Sequence, residues 1–216
     1  MTHKKKQFAD RFPEVTVNHE HYWEALADKS IQYLFCTGPA GTTKTIRACK
    51  YMAMALKKSH YDKIVICTSI TSVDGEELGH LKGDVSEKMS PHVTRVTQHL
   101  DKFLPKSLLC PDVEVVPLSY IRGRDIDKSV MIVDEAQNCS LELLIAILSR
   151  VSDNSKVIFC GDAVQSDKFP KNDVPLIKVM DSLEVMDCVE CIRFDEDDIL
   201  RSKNLKRMLS ILNKLK

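Results

Sequence analysis

No apolar run in the 216 residues approaches the length that crosses a bilayer, so no membrane-spanning helix is expected. The start, "MTHKKKQFAD", has no apolar stretch behind its lysines, and no secretory signal is read there. Neither sign of charge dominates: 31 Lys and Arg balance 31 Asp and Glu, which leaves local patches as the only means of gripping a polyanion. A second CxxC is missing as well. Cys188-Val-Glu-Cys191 stands alone, whereas a four-ligand zinc site needs another pair at suitable spacing. Several of the other cysteines sit in apolar runs, "YLFC", "IVIC" and "VIFC", as small buried hydrophobes, and a reduced, cytoplasmic chain is expected. No Gly/Pro/Ser-rich linker and no internal repeat divides the sequence, and no aromatic-rich strand face or long basic stripe offers a platform for stacked bases.

What is present alternates. Short β-branched runs at 31–36, 63–68, 113–117, 130–134 and 156–161 read as buried strands, with helical patterns at 44–58, roughly 86–104 and 140–150 between them. Strands separated by helices mean parallel neighbours joined by crossovers, hence one three-layer α/β domain. The last segment places Leu205, Met208, Leu212 and Leu215 at helical spacing with lysines opposite, a stripe suited to docking on its own domain or a neighbouring subunit.

The first strand runs into "GPAGTTKT", residues 38–45, and a helix follows. Backbone N–H groups of such a loop and the helix N-terminus can face a phosphate. Gly38, Pro39, Ala40, Gly41, Thr42, Thr43, Lys44 and Thr45 are thus candidate nucleotide-binding residues. Lys44 would reach the β- and γ-phosphates, and the Thr45 hydroxyl would hold Mg²⁺. The usual second glycine is replaced by Thr43, and a glycine-rich turn without a ligand has the same look.

Two further strand ends narrow the choice. "SVMIVDEAQN" places Asp134 and Glu135 at the carboxyl end of a buried strand, the edge where open parallel sheets bind ligands. Asp134 suits Mg²⁺ coordination, and Glu135 suits orientation and deprotonation of an attacking water. "FCGDAVQSD" brings Gln165 just past another strand, where an amide can report on the γ-phosphate.

These motifs resemble the PhoH-like family of P-loop ATPases, whose core is similar to the first motor domain of superfamily 1 helicases. "GPAGTTKT", "PLSYIRGRDIDKSVMIVDEAQN", "SKVIFCGDAVQSD", the weaker "GEELGHLKGDVSEK" and "FDEDDILRS" carry the resemblance over roughly residues 30–205. It implies a P-loop NTPase (RecA-like) domain with a mostly parallel sheet over 21–216, behind an N-terminal tail at 1–20. It also implies ATP and Mg²⁺ as cofactors, ATP bound at Lys44 and Thr45, metal at Asp134, catalysis at Glu135, γ-phosphate sensing at Gln165, and a link to RNA handling. Single-stranded nucleic acid, RNA ahead of DNA, is the expected partner.

The sequence departs from the family pattern at Thr43, at Ser69-Ile70 after the second strand, and in "VNHEHYWEAL", which shows no clear Gln to read adenine. Tyr22 or Trp23 could stack on a base or belong to the core. An arginine to complete the site is also not evident. Arg122, Arg124 or Arg201 is expected to supply it to a neighbouring subunit, in a head-to-tail homo-oligomer such as a ring. Rival readings are an ATP-dependent switch that moves no strand, a nucleoside kinase, and a binding module with an inert loop.

Overall fold

A computed structural model describes residues 15–68 and 91–200, together with Met208 and Ile211. Six strands form its sheet: β1 (Tyr33–Thr37), β2 (Lys63–Thr68), β3 (Val113–Pro117), β4 (Ser129–Val133), β5 (Lys156–Gly161) and β6 (Val189–Arg193). All pairings between them are parallel, in the order β3-β2-β4-β5-β1-β6. The helices are α1 (Val17–Ala27), α2 (Lys44–Lys57), α3 (Pro91–Asp101), α4 (Leu141–Leu148) and α5 (Pro175–Leu183). The expected three-layer α/β architecture is therefore the observed one.

Strand alternation sorts the core into two layers. Leu34, Cys36, Ile64, Ile66, Val130, Ile132 and Ile158 face α1, α2 and α3. Phe35, Val65, Met131, Val133, Val157 and Phe159 face α4 and α5, where the Phe35 and Phe159 rings stack with centroids 4.6 Å apart. Because helices cover both faces, β4 and β5 are buried at every position, which is why they read as unbroken apolar runs.

α1, α5 and β6 were not anticipated. α1 begins at Val17, inside the segment expected as tail, and Thr16 caps it: its hydroxyl accepts from the His19 N–H while His19 Nδ1 accepts from the Thr16 N–H. The buried face of α1 is His19, Tyr22, Ala25 and Leu26, of which two are polar enough to disguise the stripe. Tyr22 is fully buried and meets the Phe194 ring edge-on, and the half-buried Trp23 lies under Lys50; neither projects into the site cavity described below. β6, "VECIR", carries Glu190 and Arg193 and sits at the sheet edge, beside β1. The segments around Ser69-Ile70 and "GEELGHLKGDVSEK", residues 86–90 of the expected helix, and nearly all of the C-terminal stripe lie outside the described residues.

The order of strands positions the site. β5 lies between β1, which carries the loop, and β4, which carries Asp134 and Glu135. All three end at the same edge, because all run parallel.

Candidate nucleotide-binding site

Beyond β1 the loop bends where a side chain has no room. Gly38 has φ 136°, and a Cβ there would lie 2.4 Å from the Phe194 carbonyl oxygen. Phe194 is fixed in turn by its N–H, which donates to Thr37 at 2.8 Å. The Lys44 ammonium lies inside the loop, donating to the carbonyls of Gly38 (2.6 Å) and Pro39 (2.9 Å) and to Thr42 Oγ1 (3.1 Å).

Thr43 is the position that decides whether the loop is intact. It adopts a left-handed conformation, φ 63° and ψ 21°, immediately before α2. A β-branched residue there costs about 1–2 kcal/mol. Its hydroxyl does not cap the helix; it accepts from Nε of the buried Arg47, one turn on, at 2.7 Å. A hydrogen bond to a charged donor contributes about 1.5–3 kcal/mol and offsets the strain. The first N–H groups of α2, left uncapped by this side chain, are available to an anion. Burial pulls the Arg47 guanidinium down, to about 10.

Thr45 Oγ1 donates to Asp134 Oδ1 at 3.0 Å, linking loop to β4. Asp134 is buried, whereas Glu135, at φ 55°, is turned toward the cavity. A hydroxyl and a buried carboxylate are hard oxygen donors of the kind Mg²⁺ takes while it keeps several waters, so these residues fit that ion. Gln137 is fully buried and spans the gap to β5: its amide donates to Glu135 Oε2 at 2.6 Å, and its carbonyl oxygen accepts from the Asp162 N–H at 3.1 Å. Gly161 makes that approach possible, since a Cβ there would stand 3.0 Å from Gln137 Oε1. Gln165 donates to Asp162 Oδ2 at 2.7 Å.

Ala40, Gly41, Thr43, Lys44, Thr45, Asp134, Glu135 and Gln165 all line one cavity of about 480 Å³, a size that admits a nucleotide. Gly38, Pro39 and Thr42 stand behind it and hold the lysine. Arg201 falls outside the described residues; Leu200, just before it, donates its N–H to the Gly41 carbonyl at 3.1 Å. Asp198 accepts from Thr16 Oγ1 (2.5 Å), Asn18 Nδ2 (2.8 Å) and the Asp195 N–H (2.9 Å). Arg124 pairs with Glu114, beside Lys63 and Ser129 at the starts of β2 and β4, and so lies at the edge of the sheet opposite the cavity. Among the described residues no cluster of three His, Cys, Asp or Glu could hold a metal, and the Cys191 thiol points at the Met180 carbonyl.

Sequence reasoning missed Arg95. It projects from α3, and its Nη2 lies 2.5 Å from Asp134 Oδ2 and also contacts Glu135 Oε1. Burial opposes its charge, but the two carboxylates outweigh this and raise the guanidinium above its ordinary value. It was missed because one arginine on an amphipathic helix carries no local signal. Gln137 and His19 were missed for a related reason: nothing in "DEAQN" or "VNHEH" says that one amide joins two strand ends, or that His19 Nε2 sits 3.0 Å from the Thr42 carbonyl. Burial, then the charge of Arg47, lower the His19 pKa.

The family model described as PhoH-like protein matches residues 13–213. Protein PhoH of Escherichia coli K12 is 34% identical over 197 residues, covering 88% of this chain and 54% of that protein. The PhoH-like protein of Bacillus subtilis is 30% identical over 210 residues, covering 92% of this chain and 63% of that protein. The chain thus spans between half and two thirds of the length of these relatives. Among solved structures, the Hef helicase domain of Pyrococcus furiosus superposes with a TM-score of 0.47 at 14% identity, covering 87% of this chain and 39% of that one. Pif1 helicase from Candida albicans gives 0.45 at 16% identity, covering 94% and 44%. With a parallel sheet that carries a phosphate-binding loop and two acidic side chains to one edge, and with a family match along nearly its whole length, the chain belongs to the PhoH-like family and has the P-loop NTPase fold.

Proposed function

We propose that the chain is a Mg²⁺-dependent ATPase whose turnover is coupled to binding or remodelling single-stranded RNA in the cytoplasm. The observation that carries the hydrolytic part is the convergence of Lys44, Thr45, Asp134 and Glu135 on a single cavity. Lys44, whose ammonium is satisfied by loop carbonyls, exchanges these for phosphate oxygens. Thr45 Oγ1 and Asp134 would hold the metal, which would supply charge neutralisation on the phosphates when bound. Glu135, oriented by Gln137, accepts the proton of the attacking water. Gln165 reports on the γ-phosphate from the turn after β5.

The RNA part rests on family membership. A nucleotide-operated switch without strand movement is the second reading, and one observation favours it. The loop is tied to two distant segments, by His19 on Thr42 and by Leu200 on Gly41, so a change in the loop reaches both.

The test is phosphate release with and without single-stranded RNA, beside a Glu135→Gln control. Hydrolysis should fall about 10²- to 10⁴-fold in the control, and RNA should stimulate the unaltered protein. Turnover indifferent to RNA favours the switch. Equal turnover in Glu135→Gln removes the residue from the mechanism.

A further inference from the structure

Arg95 has no place in the scheme above, yet it is the one arginine lining the cavity among the described residues. We propose that Arg95 is the arginine that completes this site, supplied by the same chain, and that it contacts the terminal phosphate of a bound nucleoside triphosphate. The proposal rests on the ATPase reading and names a residue that reading leaves unassigned.

Three observations support it. First, position: α3 is held against α2 by buried Val96 and Leu100, and the Cys49 thiol donates to the Val96 carbonyl at 3.6 Å. The helix is thereby fixed, with Arg95 directed at the ends of β4 and β5. Second, freedom: the Arg95 side chain is 45% exposed, so its guanidinium can change partners without disturbing the core. Third, chemistry: its present partners are the two carboxylates of the reaction, Asp134 and Glu135. A divalent cation and this guanidinium require the same acceptor, Asp134. With that acceptor taken, the guanidinium keeps Glu135 on one side and has donors left for a second anion, and the anion bound in this cavity would be the polyphosphate. A guanidinium presents donors in a fork that matches phosphate oxygens. Arg95 is therefore within reach of both the carboxylates and the terminal phosphate of a bound nucleotide, and neutralises the latter when it is in place. A neighbour's arginine is then unnecessary.

The test is calorimetric binding of ADP and of a non-hydrolysable imido analogue of ATP, both with Mg²⁺, to the unaltered protein, Arg95→Gln and Arg95→Lys. The unaltered protein should prefer the triphosphate. Arg95→Gln should lose that preference by about ten- to a hundredfold with its ADP affinity nearly unchanged, and Arg95→Lys should recover part of it. If Arg95→Gln changes both affinities together or neither, Arg95 only steadies the carboxylates and the proposal fails while the ATPase reading stands. If the unaltered protein binds neither nucleotide, both fail. Mixing Lys44→Ala with Arg95→Gln gives a second readout. No recovered turnover supports an arginine acting within its own chain; recovered turnover assigns it to a neighbour and overturns the proposal.

Discussion

Thr43 shows how a loop tolerates the loss of its glycine. Strain of the left-handed backbone and the bond to Arg47 are of similar size and opposite sign. Thr43→Gly removes both, so stability in urea should stay within about 1 kcal/mol of the original. Thr43→Val keeps the β-branch and the strain but leaves Arg47 Nε without this acceptor, and should cost about 2 kcal/mol in the same titration. Equal effects of the two changes would mean that the left-handed strain contributes nothing, because both remove the hydroxyl. Gln137 works at the same scale. Gln137→Leu removes its bonds to Glu135 and to the Asp162 N–H, and turnover should fall about ten- to a hundredfold by analogy with lost partners of metal-site ligands, with nucleotide affinity preserved.

At the scale of elements, α1 depends on a lysine from another part of the chain. Lys156, at the start of β5 and fully buried, donates to the carbonyls of Ala25 (2.9 Å), Leu26 (2.8 Å) and Asp28 (2.6 Å). It thus satisfies the end of α1, where cations are favoured by the helix dipole. Lys156→Met should cost about 2 kcal/mol or more, and amide exchange should show α1 opening before the sheet. Because α1 also delivers His19 to Thr42, nucleotide affinity should fall in the same variant. Elements legible in the sequence were those whose pattern is strong within their own length: β1 to β5, α2, α3 and α4. α1 was obscured by His19 and Tyr22 on its buried face, β6 by its charged residues, and nine-residue α5 by its brevity.

For the molecule as a whole, buried thiols set the alkaline limit. Burial raises Cys36, Cys49 and Cys67 well above the ordinary value, Cys139 to about 12 and Cys191 to about 11. In the unfolded chain thiols ionise near 9, so above that pH the native state retains protons that the unfolded state has lost. Their contribution is complete below pH 9 and is lost as pH rises toward the folded values, each by up to about 1.4 kcal/mol per pH unit. Lys156 acts oppositely: burial lowers it from 10.5 to about 8, so between those values the unfolded chain binds more protons and stability gains with pH. One amine is outweighed by several thiols. The melting temperature should fall between pH 9 and 10.5, and Cys139→Ala should flatten that fall; a pH profile that is the same in Cys139→Ala would show that this thiol ionises equally in both states.

By itself the sequence determined the alternation of strands and helices, the loop at 38–45, and the placing of Asp134, Glu135 and Gln165 at strand ends, because each is written in neighbouring residues. Parallel strands then bring those ends to one edge. Tertiary structure alone decided what stands between them. Arg95 meets Asp134 across 39 positions of sequence, Gln137 joins the turns after β4 and β5, and Asp198 holds Thr16 from 182 positions away. Such pairings are set by how helices pack on the sheet, and periodicity along a single segment carries no information about them.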